Sequence, residues 1–335
     1  MTVTTIGDLA KMLAQRHHQS KLSSDLSRLS TELTTGQVQD VTRKLGGDLS
    51  ALSGIDRGLG RLAAFDLAID EGLTRAAATQ LRLDRISQSG EALAGTFTRL
   101  SASPLSIFQS EIANQARTSL EDVIQQLNGS VAGRSLFSGA ATDRPPLPSA
   151  DTVLSQVQEV ISGAMDVSQI FSAIDVWLDD PTGFEGTVFN GSQTDRQPVE
   201  TAEGHRIPAD LKASEKALSE TVVFRALAVL VAEDALGLSP NAKREVLATA
   251  AARLGAAQDG VISLRARVGL SQSRLEDAGT RQEAERFGLN EMRNGFLGID
   301  PFSTATELQA VQQNLENLYA VTARSARLSL VGFLK

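Results

Sequence analysis

The sequence predicts a mainly α fold: an elongated bundle of long antiparallel helices, with N- and C-terminal helices paired and a small mixed α/β insertion at the tip. Three observations predict it. Both ends run in heptads, Leu22, Leu26, Leu29 and Leu33 near one end and Leu308, Val311, Leu315, Leu318 and Thr322 near the other. A seven-residue period, Leu247, Leu254, Val261, Val268 and Leu275, marks a long helix between them. Aromatics make up only 4% of the chain, so Leu, Ala and Val must fill the interior, which suits slim helix packing.

The elements follow in order. Ile6, Leu9 and Leu13 precede the first heptads, so residues 6 to 34 read as one helix, interrupted at Thr35-Gly36. Gly46-Gly47 marks a loop. From Leu49 the helical pattern resumes and runs to about Leu100, with Ser101-Ala-Ser-Pro104 as its terminator. A further helix is expected from about 106 to 132, ending at Gly133 as the C′ residue.

Between Pro145 and Pro208 the chain holds six of its nine prolines. Residues 151 to 162 and 168 to 178 read there as short helices, Asp180-Pro181-Thr-Gly183 as a turn and Gly186 to Asn190 as a strand. Gln197 to Thr201 and His205 to Ile207 read as a hairpin around Ala202-Glu-Gly204.

Helical periodicity returns from Ala217 to Leu236, and Ser239-Pro240 supplies an N-cap and an N1 proline. The companion positions of the seven-residue period are Ala250, Ala257, Leu264, Ser271 and Ala278, one large and one mostly small residue per repeat. That pattern favours close, left-handed packing. Continuous to about Asn290, this helix spans about 75 Å at ~1.5 Å per residue. Gly260, Gly269 and Gly279 within it admit a neighbouring helix or a gentle bend. Asn294-Gly295, Gly298 and Pro301 close the region before the terminal heptads. Three domains are expected: 1–38 with 302–335 as a terminal coiled coil, 39–140 with 216–301 as a long-helix rod, and 141–215 as a small mixed outer domain.

Charge and composition narrow the function. The net charge is −8, and residues 141 to 215 hold 13 Asp and Glu against four Lys and Arg, a balance of −9 that leaves the rest near neutral. No basic stripe stands out to meet phosphates, so a nucleic-acid partner is not expected. No uncharged apolar run approaches the ~20 residues of a membrane span, and the longest, around Val222 to Ala232, is broken by Arg225. With no cysteine, disulfides and thiolate sites are excluded. The first ten residues lack the basic and apolar regions of a cleavable secretory signal.

Chemistry-bearing constellations are not found. His17 and His18 are adjacent and so point about 100° apart on a helix, and His205 stands alone. Gly54, Gly58 and Gly60 have the wrong spacing for a dinucleotide fingerprint, and Asp179-Asp180 sits at a turn. Asn128-Gly-Ser130 and Asn190-Gly-Ser192 match a glycosylation triplet, a weak signal by itself. Neither a catalytic residue, a metal ligand nor a cofactor is expected. An apolar seam at each end points instead to assembly.

Four stretches carry a resemblance. Glu307 to Arg324, continued by Leu328, Leu330 and Leu334, resembles the terminal helix of the bacterial flagellin family. Arg265-Ala-Arg-Val-Gly-Leu-Ser-Gln-Ser-Arg-Leu-Glu276 resembles the segment before it, and Leu29-Ser-Thr-Glu-Leu-Thr-Thr-Gly36 fits the family's first helix. Gly133-Arg-Ser-Leu-Phe-Ser-Gly139 resembles the hook-associated junction branch, which favours that branch over filament flagellin. Residues 141 to 215 lie largely outside the resemblance.

The resemblance implies export through the flagellar type III apparatus without cleavage, guided by a disordered N-terminus and a dedicated export chaperone. It also implies a self-associated extracellular ring between the first hook-associated protein and the flagellin filament. Its assembly interface would comprise Ile6, Leu9, Leu13, Leu22, Leu26, Leu29, Leu33, Leu308, Val311, Leu315, Leu318, Thr322, Leu328, Leu330 and Leu334. A small filament flagellin, a secreted helical adhesin, and a helical enzyme or ligand-binding module using 141–215 are the competing readings.

Overall fold

A computed structural model describes residues 6–101, 109–208 and 210–333, with side chains left out at 6–9, 11–12, 97–101, 109–112 and 325–333. The described chain is mainly helical. Its helices are α1 (Ile6–Thr35), α2 (Val41–Lys44), α3 (Ser50–Ser101), α4 (Gln109–Leu127), α5 (Ala150–Ile161), α6 (Val167–Asp179), α7 (Phe184–Thr187), α8 (Lys216–Ala232), α9 (Pro240–Leu297) and α10 (Pro301–Phe333). Two short antiparallel hairpins complete it, β1 (Ser130–Val131) with β2 (Arg134–Ser135) and β3 (Val199–Ala202) with β4 (His205–Ile207). The chain divides into two compact units, Met1–Leu62 with Glu283–Lys335, and Ala63–Gln282.

In the first unit, capping chemistry sets the element ends. Gly36 adopts φ 71° and returns its N–H to Glu32 O at 2.8 Å, ending α1 as its glycine predicts. Asp40 caps α2 through Arg43 N, and Asp48 Oδ1 accepts from Ser50 N at the start of α3. The first turns of α3 lie against the last turns of α9, where Arg293 Nε meets Asp56 at 2.9 Å.

The second unit is organised around α8, which is buried on all sides and so needs no amphipathic pattern. Helices α4, α5 and α6 pack on it. The scarce aromatics gather here: Phe171 and Phe224 lie 6.2 Å apart, and Trp177 meets Phe184 edge-on at 5.5 Å. All ten positions of the seven-residue period on α9 are buried. Within this unit α3 and α9 run antiparallel, since Gln80 Nε2 donates to Arg265 O at 2.7 Å while Gln258 bonds Ser87 further on. The β3–β4 hairpin packs Val199 and Ile207 onto Ile69, Leu275 and Ala278.

Several expectations are corrected. The helix expected to 132 ends at Leu127, and Gly133 is the second residue of a two-residue hairpin loop. Ala132 and Gly133 have φ 49° and 74°, the pair of positive values a type I′ turn demands, so the chain reverses where a C′ glycine alone would only have stopped a helix. No strand forms at 186–190: residues 184–187 are the short helix α7 and 188–190 leave it as a turn and irregular chain, because burial of Phe184 beside Trp177 starts a helical turn with Thr187 N bonded to Gly183 O at 2.9 Å. Helix α8 stops at Ala232, four residues early, where Asp234 turns through φ 62°. Helix α9 runs through Asn294-Gly295 to Leu297. The hairpin at β3–β4 and the Ser239 cap, whose Oγ accepts from Ala242 N at 3.2 Å, stand as expected. The terminator at 101–104 falls mostly outside the described residues.

Candidate assembly interface

Helices α1 and α10 pair with each other, as the heptads at the two ends of the sequence predict. Their direction follows from two fixed points. Beyond the end of α1, Gln37 bridges Gly298 in antiparallel sense, flanked by Val38 N to Leu297 O at 2.9 Å and Ile299 N to Gly36 O at 3.0 Å. Eighteen residues before Gln37 and 21 after Gly298, Gln19 Nε2 lies 3.4 Å from the Tyr319 hydroxyl. The pair is therefore antiparallel.

Local chemistry builds the closed end of this pair. Asp300 Oδ1 accepts from Phe302 N at 3.0 Å and Pro301 opens α10, an N-cap followed by an N1 proline. Lys44 Nζ donates to Gly298 O at 2.5 Å. Glu32, buried although charged, accepts from Arg28 Nη1 and from Gln39 N, each at 3.0 Å, so both its oxygens are used. The sequence marks Glu32 only as part of a family-like stretch; its role as the clamp on the α1–α2 loop carries no separate signal.

The seam is only partly covered. Leu22, Leu29 and Leu315 are buried, and Leu26, Leu308, Val311 and Leu318 are half-buried. Leu13 at 60% and Leu33 at 38% are exposed, and so is Thr322. Tyr319 and Val321, which the heptad reading passes over, add exposed apolar surface at 53% and 57%. Ile6, Leu9, Leu328, Leu330 and Leu334 lie outside the residues whose side chains are described. Two antiparallel helices cover one stripe on each other and leave flanking stripes open, so a narrow seam that is half-buried in a pair becomes fully buried only among more helices.

His17, His18 and His205 are exposed. No group of three or more His, Cys, Asp or Glu that could hold a metal occurs among the described residues. Asp179 pairs with Lys216 Nζ at 2.7 Å and Asp180 Oδ1 caps Thr182 N at 2.8 Å. The hydrogen bonds from Thr182 hold the Asp180 carboxyl below its ordinary range. A groove of about 720 Å³ between α6 and α9 is lined by Asp175, Asp179, Asp180, Glu245 and Arg253. Within it Arg253 is bonded to Asp175 at 2.8 Å. None of the described helices is long and apolar enough to cross a membrane.

No protein-family model and no curated protein sequence matches this chain. Among solved structures, it is similar to that of a candidate flagellar hook-associated protein from Vibrio parahaemolyticus, with a TM-score of 0.55. The likeness covers 75% of this chain and 99% of the other at 14% identity. At that identity what is shared is the fold over the matched three quarters of this chain.

Proposed function

We propose that this chain is a structural subunit of the bacterial flagellum, an adapter ring between the first hook-associated protein and the flagellin filament. The observation that supports it most is the half-covered α1–α10 pair, on a chain whose fold over three quarters of its length is similar to that of the candidate flagellar hook-associated protein from Vibrio parahaemolyticus. Assembly would bury Leu13, Leu33, Tyr319 and Val321 against neighbouring copies, each contributing at roughly 25 cal/mol per Å² of apolar area. That gain offsets the entropy of fixing neighbouring chains.

In this reading the protein turns nothing over. It is exported through the type III apparatus with a dedicated chaperone, without a cleaved signal, and acts outside the cell. Residues 1–38 with 302–335 form the assembling domain, 39–140 with 216–301 the rod and 141–215 the outer domain. Deleting the gene should leave hooks intact while filaments fail to attach and flagellin escapes into the medium. Normally attached filaments would sink the proposal. Antibody labelling in electron microscopy separates it from a small filament flagellin: one band at the hook–filament boundary supports the ring, and label along the whole filament supports the flagellin.

A further inference from the structure

Arg225, the residue that breaks the longest apolar run of the sequence, sits in the middle of α8 with none of its surface exposed. Its Nη2 donates to Ser89 Oγ at 3.0 Å and to Ile86 O at 3.4 Å, both on α3. Its Nε and Nη1 are buried with no hydrogen-bonding partner. Burial pulls the guanidinium down to about 10, which still leaves it cationic at neutral pH. The carboxylate acting on it is that of Asp122 on α4, which accepts from Gln126 Nε2 at 3.2 Å and not from the guanidinium. A buried cation with two open donors is costly unless a counterion meets it.

Beside this cation lies a groove of about 890 Å³ between α3 and α4, whose wall includes Ser89, Asn114, Thr118, Ser119 and Asp122. Ser119 Oγ is a further buried polar atom without a partner. Arg225 does not itself line the groove: its Nη2 reaches the wall at Ser89, whose Oγ in turn donates to Ile86 O at 3.2 Å, and Ser119 is the wall hydroxyl left without a partner. Gly90 keeps that approach open, since a β-carbon there would stand 3.2 Å from Arg225 Nη2.

We propose that Arg225 Nε and Nη1, with the Ser119 hydroxyl, form the receptor for a small monovalent anion, a halide or a carboxylate, entering past Ser89 from this groove. A single uncompensated charge calls for a single opposite one. Glu121 and Asp122 at the groove repel every anion, and the repulsion grows with charge, which favours a single-charged ligand over phosphate esters and nucleic acid.

The test uses the full-length protein, titrated with sodium bromide or sodium formate at constant ionic strength while thermal unfolding is followed. Wild type should gain a saturable rise in Tm of about 5–10 °C at roughly 100-fold excess over Kd. Arg225→Met, similar in length but uncharged, should lose the saturable component, and Ser119→Ala should shift its midpoint several-fold. The bromide and formate arms tell halide from carboxylate. Crystals grown in bromide should show an anomalous peak within hydrogen-bond distance of Arg225 Nε or Nη1. Parallel responses of wild type and Arg225→Met to both bromide and formate would overturn the proposal, and so would the absence of a bromide peak at Arg225 if bromide is the anion that gives the saturable rise. Should Arg225→Met fail to fold, the Ser119→Ala midpoint and the bromide crystal decide.

Discussion

A β-carbon built on Gly260 of α9 would lie 2.6 Å from the β-carbon of Ala217 on α8, so the two helices touch at a point only glycine permits. Replacing a helical glycine by alanine ordinarily stabilises by about 0.5–1 kcal/mol. At Gly260 the overlap must move a helix, a cost of about 1–3 kcal/mol that outweighs the propensity gain. Gly260→Ala should therefore lower stability by about 1–2 kcal/mol. Gly255, exposed on the same helix with nothing within 4 Å of its built β-carbon, should do the opposite. Urea unfolding of the two variants side by side checks the sign of each.

The turn between β1 and β2 makes a second local prediction. Ala132 sits at φ 49°, a conformation that costs an L-residue roughly 1 kcal/mol and glycine almost nothing. Ala132→Gly should stabilise by a few tenths to about 1 kcal/mol, and Gly133→Ala, at φ 74°, should destabilise by a similar amount. Differential scanning calorimetry should move Tm in opposite directions for the two.

Asp210 predicts a pH dependence. Burial raises its carboxyl above the usual carboxylate range, a shift only partly offset by the Arg196 backbone N–H at 2.8 Å and by the Arg196 and Arg75 guanidinium groups. A folded value above the unfolded one means the contribution to stability is fully present below the unfolded value. It is lost as pH rises through the folded one. Asp210→Asn keeps an acceptor for the Arg196 amide without the charge. The variant should thus lose less stability than wild type between pH 4 and pH 7, and denaturant midpoints at both pH values measure it.

The parts legible in the sequence are those where one face of a regular element is buried. The ten positions of the α9 period are buried because a seven-residue apolar repeat forms one stripe along a helix that neighbouring elements cover. The Ser239 cap and the Gly36 stop declare themselves by residue type. The misreadings arise where tertiary contacts decide. Gly133 follows a helical pattern as a C′ residue would, and only the positive φ at Ala132 makes it a hairpin. Phe184 lies in a Gly- and Pro-rich stretch with no period of its own, and Trp177 supplies the partner that turns it helical. At the terminal pair the heptads identify Leu22, Leu29 and Leu315, but Tyr319 and Val321 lie off the seam and are visible only as exposed surface. Arg225 shows in sequence as an interruption, while its open donors are a property of the packed core.

Leu315 gives the last prediction. It is buried in α10, in the unit formed by residues 1–62 and 283–335, and not among the core residues of 63–282. An aspartate there places a carboxylate in apolar surroundings with no cation provided, a loss of about 3 kcal/mol or more to the α1–α10 pair. The core around Phe137, Phe171, Phe184 and Phe224 contains no residue of that unit, so it should remain folded. Leu315→Asp should therefore keep most of its helical circular dichroism and a protease-resistant fragment spanning 63–282. Protease cuts should instead concentrate in α1 and α10, and under conditions where wild type self-associates the variant should stay monomeric. A variant that still assembles like wild type would separate the terminal seam from assembly altogether, and one that unfolds throughout would show that the two units do not fold independently.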